Sequence, residues 1–352
     1  MTSEETIFEA RDGIGRIRLN RPQVLNALSP RQFAAIDRQL AAWAADAAVR
    51  VVLIEGTGDR AFCAGGDLRP LWEGREGGRE VGRALFRDEY RLDRRIFHYA
   101  KPYVALMDGI VMGGGAGVSV NGRFRVAGET TLFAMPETAI GFFPDVGATH
   151  FLTRLPGCVG LYLGLTGARL GPADCLWAGL ATHYVPRAGR AAMAAGLVQA
   201  AAAADPTAAV AEVLAAHHRD PGASTLAERR AAIDRCFGRP SLAEIRTALA
   251  DEPGDWAAAS CAALAGHSPT ALAVTFRQLT GGAGLGFDEA IRREYRITTH
   301  MLEGGDLYEG IRAAVVDKDR RPRWNPADTA DVADETVAAY FRPPAGGDLD
   351  LG

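Results

Sequence analysis

Residues 135–147, MPETAIGFFPDVG, set two carboxylates, Glu137 and Asp145, eight positions apart in a stretch that is otherwise apolar or turn-forming. A carboxylate held among apolar residues can act as a general base or a nucleophile when it is ionised beside a reacting carbonyl. Pro136 suits the first position of a helix. Glu137 just behind it would then meet the free N–H groups and positive end of that helix, which favour the charged form. Gly141 and Pro144 bend the chain after the first helical turn, so Asp145 is expected to return beside Glu137. The plainer reading gives Glu137 a local helix-end charge and Asp145 a structural cap.

Two glycine-rich turns suggest a complementary chemistry: FCAGGDL (62–68) after the apolar run 51–54, and MGGGAG (112–117) after the run 104–106. Glycine lets the backbone turn sharply and lie close to a ligand, exposing N–H groups. One N–H from each turn, converging on a single oxygen, would make an oxyanion hole, worth about 2.7–4 kcal/mol per donor in a transition state. The competing reading is two tight turns against packed helices. Familiar motifs do not explain them. GGGAGVSVNG is not GxGxxG in any frame, GxxxxGK[ST] does not occur, and Asn121 stands where the second glycine of a GxSxG around Ser119 would be. Neither HExxH nor a His/Cys cluster implies a metal, and the adjacent pair His217-His218 reads as a solvated helix face.

The elements that must carry these residues follow from periodicity. IFEARDGIGRIRLN has two β-type runs around Asp12-Gly13, a hairpin signal. Residues 31–48 place Phe33, Ile36, Leu40 and Trp43 at helical spacing before the strand-like run 51–54. KPYVALMDGIVMGGGAGVSVNG repeats strand, turn and helix start, and RFRVAG and TLFAMP read as further short strands. Short strands alternating with helices as far as about residue 185 predict β–β–α turns of a layered α/β domain. From 187 to 220 the composition turns to alanine-rich helix, broken at Asp205-Pro206, which sets the expected division into a core at 1–186 and a helical region at 187–352. Residues 268–318 read as helices broken at LTGGAGLG and EGGD.

Composition narrows the function classes. The chain has 352 residues, 48% hydrophobic and 23% charged, enough for a large core. With 39 basic and 43 acidic side chains the net charge is −4, so no bulk electrostatic case exists for nucleic acid or an anionic membrane. Five cysteines without a CxxC pair fit reduced thiols and small core residues. The acidic start MTSEETIFEAR has no apolar signal core, and no window approaches the ~18 apolar residues of a membrane span. A cytoplasmic location is the expectation.

RPQVLNAL, AFCAGGDL, KPYVALMDGIVMGGGAG and MPETAIGFFPDVG, in this order, resemble the enoyl-CoA hydratase/isomerase (crotonase) superfamily. MGGGAGVS, FAMPETAIGFFPDVG and the ending EYRITTHMLEGGDLYEGIRAAVVDKDRRPRWNPAD resemble its 3-hydroxyisobutyryl-CoA hydrolase branch. The resemblance spans about residues 6–342 and implies a crotonase-like α/β spiral of β–β–α turns with a helical C-terminal region that completes the active-site cover. It implies Gly66 and Gly114 as the oxyanion-hole donors to an acyl-CoA thioester carbonyl, and Glu137 and Asp145 as active-site carboxylates. It implies substrate contacts at Glu89, Val24, Ala64, Gly65, Asp67 and Leu68. The glutamate that hydratases carry three places beyond their second oxyanion glycine is replaced by Gly117. The implied activity is hydrolysis of a short branched 3-hydroxyacyl-CoA, 3-hydroxyisobutyryl-CoA first, a step of valine breakdown. Glu137 attacks the carbonyl or activates water. The alternatives are a crotonase-type enoyl-CoA isomerase or hydratase and a non-catalytic acyl-CoA-binding protein. The expected partner is acyl-CoA, with no nucleic acid, no membrane, no metal and no cofactor beyond the CoA of the substrate, and with homo-oligomers allowed.

Overall fold

The computed structural model describes residues 4–76 and 79–351. Asp12 and Gly13, at positive φ of 53° and 81°, turn the chain between β1 (Thr6–Arg11) and β2 (Ile14–Leu19), which pair antiparallel with Arg11 opposite Ile14. This is the two-residue hairpin that an Asp-Gly pair predicts. The remaining strands are β3 (Val51–Gly56), β4 (Ala61–Cys63), β5 (Tyr103–Met107), β6 (Ile110–Met112), β7 (Phe124–Ala127), β8 (Leu132–Ala134) and β9 (His183–Tyr184).

Six strands form one sheet in the order β1-β2-β3-β5-β7-β9, parallel from β2 onward, and three form a second in the order β4-β6-β8. Each of the pairs β3/β4, β5/β6 and β7/β8 therefore sends its first strand to the large sheet and its second to the small one. That repeated step is the spiral of β–β–α turns that the sequence resemblance implies, and the fold is of the crotonase type.

Two compact units share the chain: Met1–Gly66 with Arg91–Phe133 and Leu170–Ala227, and Asp67–Tyr90 with Ala134–Arg169 and Glu228–Gly352. The change of composition at residue 187 does not mark the division between them. Helices Arg187–Ala202 and Pro206–His217 pack on the large sheet in the first unit, where Met193, Leu197, Val210 and Leu214 join Ile14, Val51, Leu53, Val104 and Val126 in one buried cluster. Each such side chain contributes about 1.5–3 kcal/mol by leaving water. Alanine makes the close approach feasible: a Cβ at Gly13 would lie 2.8 Å from that of Ala201.

The second unit is mostly helical, with Leu242–Asp251, Asp255–Gly266, Pro269–Thr280, Phe287–Met301, Asp306–Ile311 and Asp334–Ala339. The breaks fall where the glycine clusters predict them. Ser268 caps the Pro269–Thr280 helix by accepting the Ala271 N–H. Among the described residues no helix is long and apolar enough to cross a membrane.

Candidate active site

In the second unit, Glu137 opens a four-residue 3₁₀ turn, Glu137–Ile140, and Gly141 closes it at φ 71°. Pro136 precedes the turn as its cap, so the expected position at the start of a helix is corrected by one residue. A Cβ at Gly141 would sit 2.4 Å from the Asp306 carbonyl oxygen, so the position needs glycine for space as well as for φ. Val146 and Gly147, at φ 54° and 90°, make the next sharp bend. Between the bends the chain returns Asp145 close enough to Glu137 for their charges to interact, as the spacing of Gly141 and Pro144 predicts. Glu137 is 6% exposed and Asp145 4%.

Three surrounding helices hold the Asp145 segment. From Glu80–Phe97, the Tyr90 hydroxyl donates to Asp145 Oδ2 at 2.8 Å and lies 2.5 Å from Thr298 Oγ1. From Phe287–Met301, the Glu294 carboxylate accepts the Gly147 and Thr149 N–H groups at 2.7 Å each. From Pro269–Thr280, Gln278 Nε2 donates to the Pro144 carbonyl at 2.7 Å and to Thr149 Oγ1 at 2.8 Å. Tyr90, Gln278, Glu294 and Thr298 are fully buried. Phe86, one turn before Tyr90, stacks on Phe142 at 5.3 Å and fixes the far side of the bend.

Burial governs the charges here. It pushes the Glu137 carboxyl well above its usual range, and the nearby Asp145 charge pushes it further. One Glu137 oxygen, Oε2, is buried without a hydrogen-bond partner among the described residues. Against the expected pull of a helix end toward the charged form, burial favours the neutral form of Glu137, since one 3₁₀ turn offers little field to offset loss of water. Asp145 is raised to about 7 by burial, while the Tyr90 hydrogen bond pulls it down. Glu294 is raised to about 8 by burial against the pull of its two N–H partners. A carboxyl so raised is a strong base once ionised and a competent acid once protonated.

In the first unit the two glycine turns are neighbours. A Cβ at Gly65, φ 114°, would lie 3.3 Å from the Met112 carbonyl oxygen and 3.8 Å from the Gly114 nitrogen. Gly114 is the first residue of the buried helix Gly114–Val120, where no preceding turn can accept its N–H. Around Gly66 the space is open, with nothing within 4 Å of a built Cβ, whereas a Cβ at Gly115 would lie 2.2 Å from the Cys63 carbonyl oxygen. The first loop is tied to the same place: Ala64 N–H bonds to Leu25 O at 3.0 Å and Leu28 N–H to Gly65 O at 2.9 Å, with Val24 exposed beside them. Asn26 pins this loop by donating to the Thr57 and Ala61 carbonyls at 2.9 Å each.

Asp67 and Leu68 open the second unit, half-buried, and Asp67 Oδ1 accepts the Arg69 N–H at 3.3 Å. Glu89, 3% exposed, precedes Tyr90 on the same helix. Tyr90, Gln278, Glu294 and Thr298 were not singled out by sequence. For Glu294 and Thr298 a signal existed, since both fall on the apolar stripe of Phe287, Ile291 and Met301 at helical spacing. All five cysteines are free thiols, three of them buried, and among the described residues no group of three or more His, Cys, Asp or Glu side chains is placed to hold a metal.

With this geometry in place, the sequence pattern of the enoyl-CoA hydratase/isomerase family matches residues 14–341. The chain belongs to this family. Within the enoyl-CoA hydratase/isomerase family, mitochondrial 3-hydroxyisobutyryl-CoA hydrolase of Gallus gallus is 42% identical over 99% of this chain and 92% of its own length. The Homo sapiens relative of the same name is 39% identical over 99% of this chain and 91% of its own. A crystal structure of a carnitinyl-CoA dehydratase from Mycobacterium thermoresistibile superposes with a TM-score of 0.92 at 39% identity, covering 99% of both chains. An enoyl-CoA hydratase from Rhodobacter sphaeroides superposes at 0.91 and 40%, covering 99% of this chain and all of its own.

The mitochondrial relatives overturn the expectation of a cytoplasmic location. That expectation rested on reduced cysteines and an acidic first segment, and thiols stay reduced in more than one compartment.

Proposed function

We propose that this member of the family hydrolyses 3-hydroxyisobutyryl-CoA to 3-hydroxyisobutyrate and free CoA. The observation that carries the reading is the pair of buried carboxyls, Glu137 and Asp145, in a chain whose position 117 is glycine. Full-length relatives at about 40% identity with this activity support it. Adding water across a double bond by the two-glutamate route of the hydratases needs a carboxyl at position 117, and glycine supplies none.

The Gly66 and Gly114 N–H groups hold the thioester carbonyl and stabilise its oxyanion. Ionised Glu137 then either attacks the carbonyl carbon, giving a mixed anhydride that water opens, or takes a proton from water that attacks instead. In both routes the C–S bond breaks, the thiolate leaves and takes a proton, and one water is consumed. A Glu137 carboxyl raised by burial is the stronger base once ionised, and after taking a proton it can return it to the departing CoA sulfur. Asp145 accepts a hydrogen bond from the 3-hydroxyl and selects substrates that carry one. Water is the only co-reactant, and no metal or redox group enters the balance.

A panel of short acyl-CoAs assayed for thiol release tests the reading. Thiol release fastest with the 3-hydroxyisobutyryl thioester supports it, and turnover of enoyl-CoAs without thiol release overturns it.

A further inference from the structure

Two hydrogen bonds of the Tyr90 hydroxyl fix a direction for protons that the hydrolysis alone does not require. Tyr90 has one hydroxyl proton and two close oxygens, Asp145 Oδ2 at 2.8 Å and Thr298 Oγ1 at 2.5 Å. With Asp145 ionised, that proton points at Asp145, because a carboxylate can only accept. The Thr298 hydroxyl must then donate to Tyr90. The order is Thr298 to Tyr90 to Asp145, each donor polarised by the next, and it lies in a region where Tyr90 and Thr298 are both 0% exposed.

The other end of the mount is backbone. Glu294 stands one helical turn before Thr298, and its carboxyl takes the N–H groups of Gly147 and Thr149, two and four residues after Asp145. One helix therefore holds Asp145 twice: through its loop by Glu294, and through its side chain by Thr298 acting on Tyr90.

We propose that Tyr90, oriented by Thr298, is a positioning residue that fixes Asp145 Oδ2 and favours its ionised form, leaving the rest of that carboxylate to the substrate. This rests on the reading of Asp145 as the group that meets the 3-hydroxyl. The titratable groups near Asp145 are Glu137 in its own segment, Tyr90 on the Glu80–Phe97 helix and Glu294 on the Phe287–Met301 helix, and Glu89 lies near Tyr90. Apart from Tyr90 these are acids, and Gln278 from the third helix is neutral. The Tyr90 hydroxyl is thus a side-chain donor that opposes burial at Asp145. Burial and the negative charges of Asp145 and Glu294 also hold Tyr90 protonated, so the donor persists across the working pH range.

The test uses the full chain with Tyr90→Phe, which keeps the ring, and Thr298→Val, which keeps the shape. Asp145 is followed by carbon-13 NMR of its side-chain carboxyl, and turnover by thiol release as a function of pH. In Tyr90→Phe the Asp145 titration midpoint should rise by about one pH unit, as loss of a charge-stabilising donor requires. kcat/KM for 3-hydroxyisobutyryl-CoA should fall about 10–100-fold at neutral pH and recover partly as pH rises. Thr298→Val should move the midpoint in the same direction by less, with Thr298→Ser restoring it. A merely structural Tyr90 would lower Tm and leave the midpoint unmoved, and that result overturns the proposal. If the wild type releases no thiol from any acyl-CoA, the hydrolase reading fails, and the carbon-13 titration still decides the role of Tyr90.

Discussion

Glu294 Oε2 accepts the Gly147 N–H at 2.7 Å, across 147 positions of sequence, and Oε1 takes the Thr149 N–H at the same distance. A fully buried carboxyl in the Phe287–Met301 helix thus replaces solvent for two backbone donors of a bend that has no regular pairing of its own. Its energetics can be read from pH.

Burial raises Glu294 to about 8 in the folded chain, against an ordinary value near 4.5. A raised acid contributes its full stability below the unfolded value and loses it as pH climbs through the folded one. Between about 4.5 and 8 the wild type should therefore lose stability relative to Glu294→Gln, by at most about 1.4 kcal/mol per pH unit. The glutamine variant, which keeps one acceptor oxygen and loses the other, should be the less stable protein near pH 5. Urea unfolding of both proteins at several pH values checks the narrowing gap, and parallel curves would contradict it.

Gly114 begins a helix, the position where proline is best tolerated because the N–H it lacks has no intrahelical partner. Gly114→Pro should therefore fold and lose about 10²–10³-fold in kcat, the scale of one missing oxyanion donor. Gly115→Ala should do the reverse, since its Cβ would meet the Cys63 carbonyl oxygen at 2.2 Å and unsettle the turn itself. Tm and thiol release measured together separate the two effects. A folded Gly114→Pro with wild-type rates would remove the donor role.

Asp145 and Glu137 should divide substrate choice from turnover. The wild type should prefer 3-hydroxyisobutyryl-CoA over isobutyryl-CoA by about 10–100-fold, the scale of a polar group left unpaired by the analogue. Asp145→Ala should lose most of that preference, and Glu137→Ala should lose turnover on both thioesters. kcat/KM on the two substrates gives the ratio directly. If it is unchanged in Asp145→Ala, Asp145 positions water and does not read the hydroxyl.

Much of this arrangement was legible in the chain because it depends on neighbours in sequence. Asp12-Gly13 specifies its hairpin, the apolar runs at 51–54 and 104–106 are strands, and Gly141 and Pro144 return Asp145 towards Glu137. The upward push on the Glu137 carboxyl was not legible, because proline and glutamate signal a helix start locally, while the burial that raises it comes from distant elements. The division at residue 187 followed composition, yet alanine-rich helices are also what a sheet can pack against closely. Tyr90 and Thr298 meet only through tertiary contact, and no local spacing pairs a tyrosine in one helix with a threonine in another.

The central claim is that the C–S bond of the thioester is what this chain breaks. Incubation with 3-hydroxyisobutyryl-CoA, followed by mass spectrometry of every CoA species and of the free acid, tests it in one experiment. The account predicts free CoA and 3-hydroxyisobutyrate in equal amounts, with both absent in Glu137→Ala. An intact thioester that loses water to become the corresponding enoyl-CoA, with no free CoA formed, would contradict it.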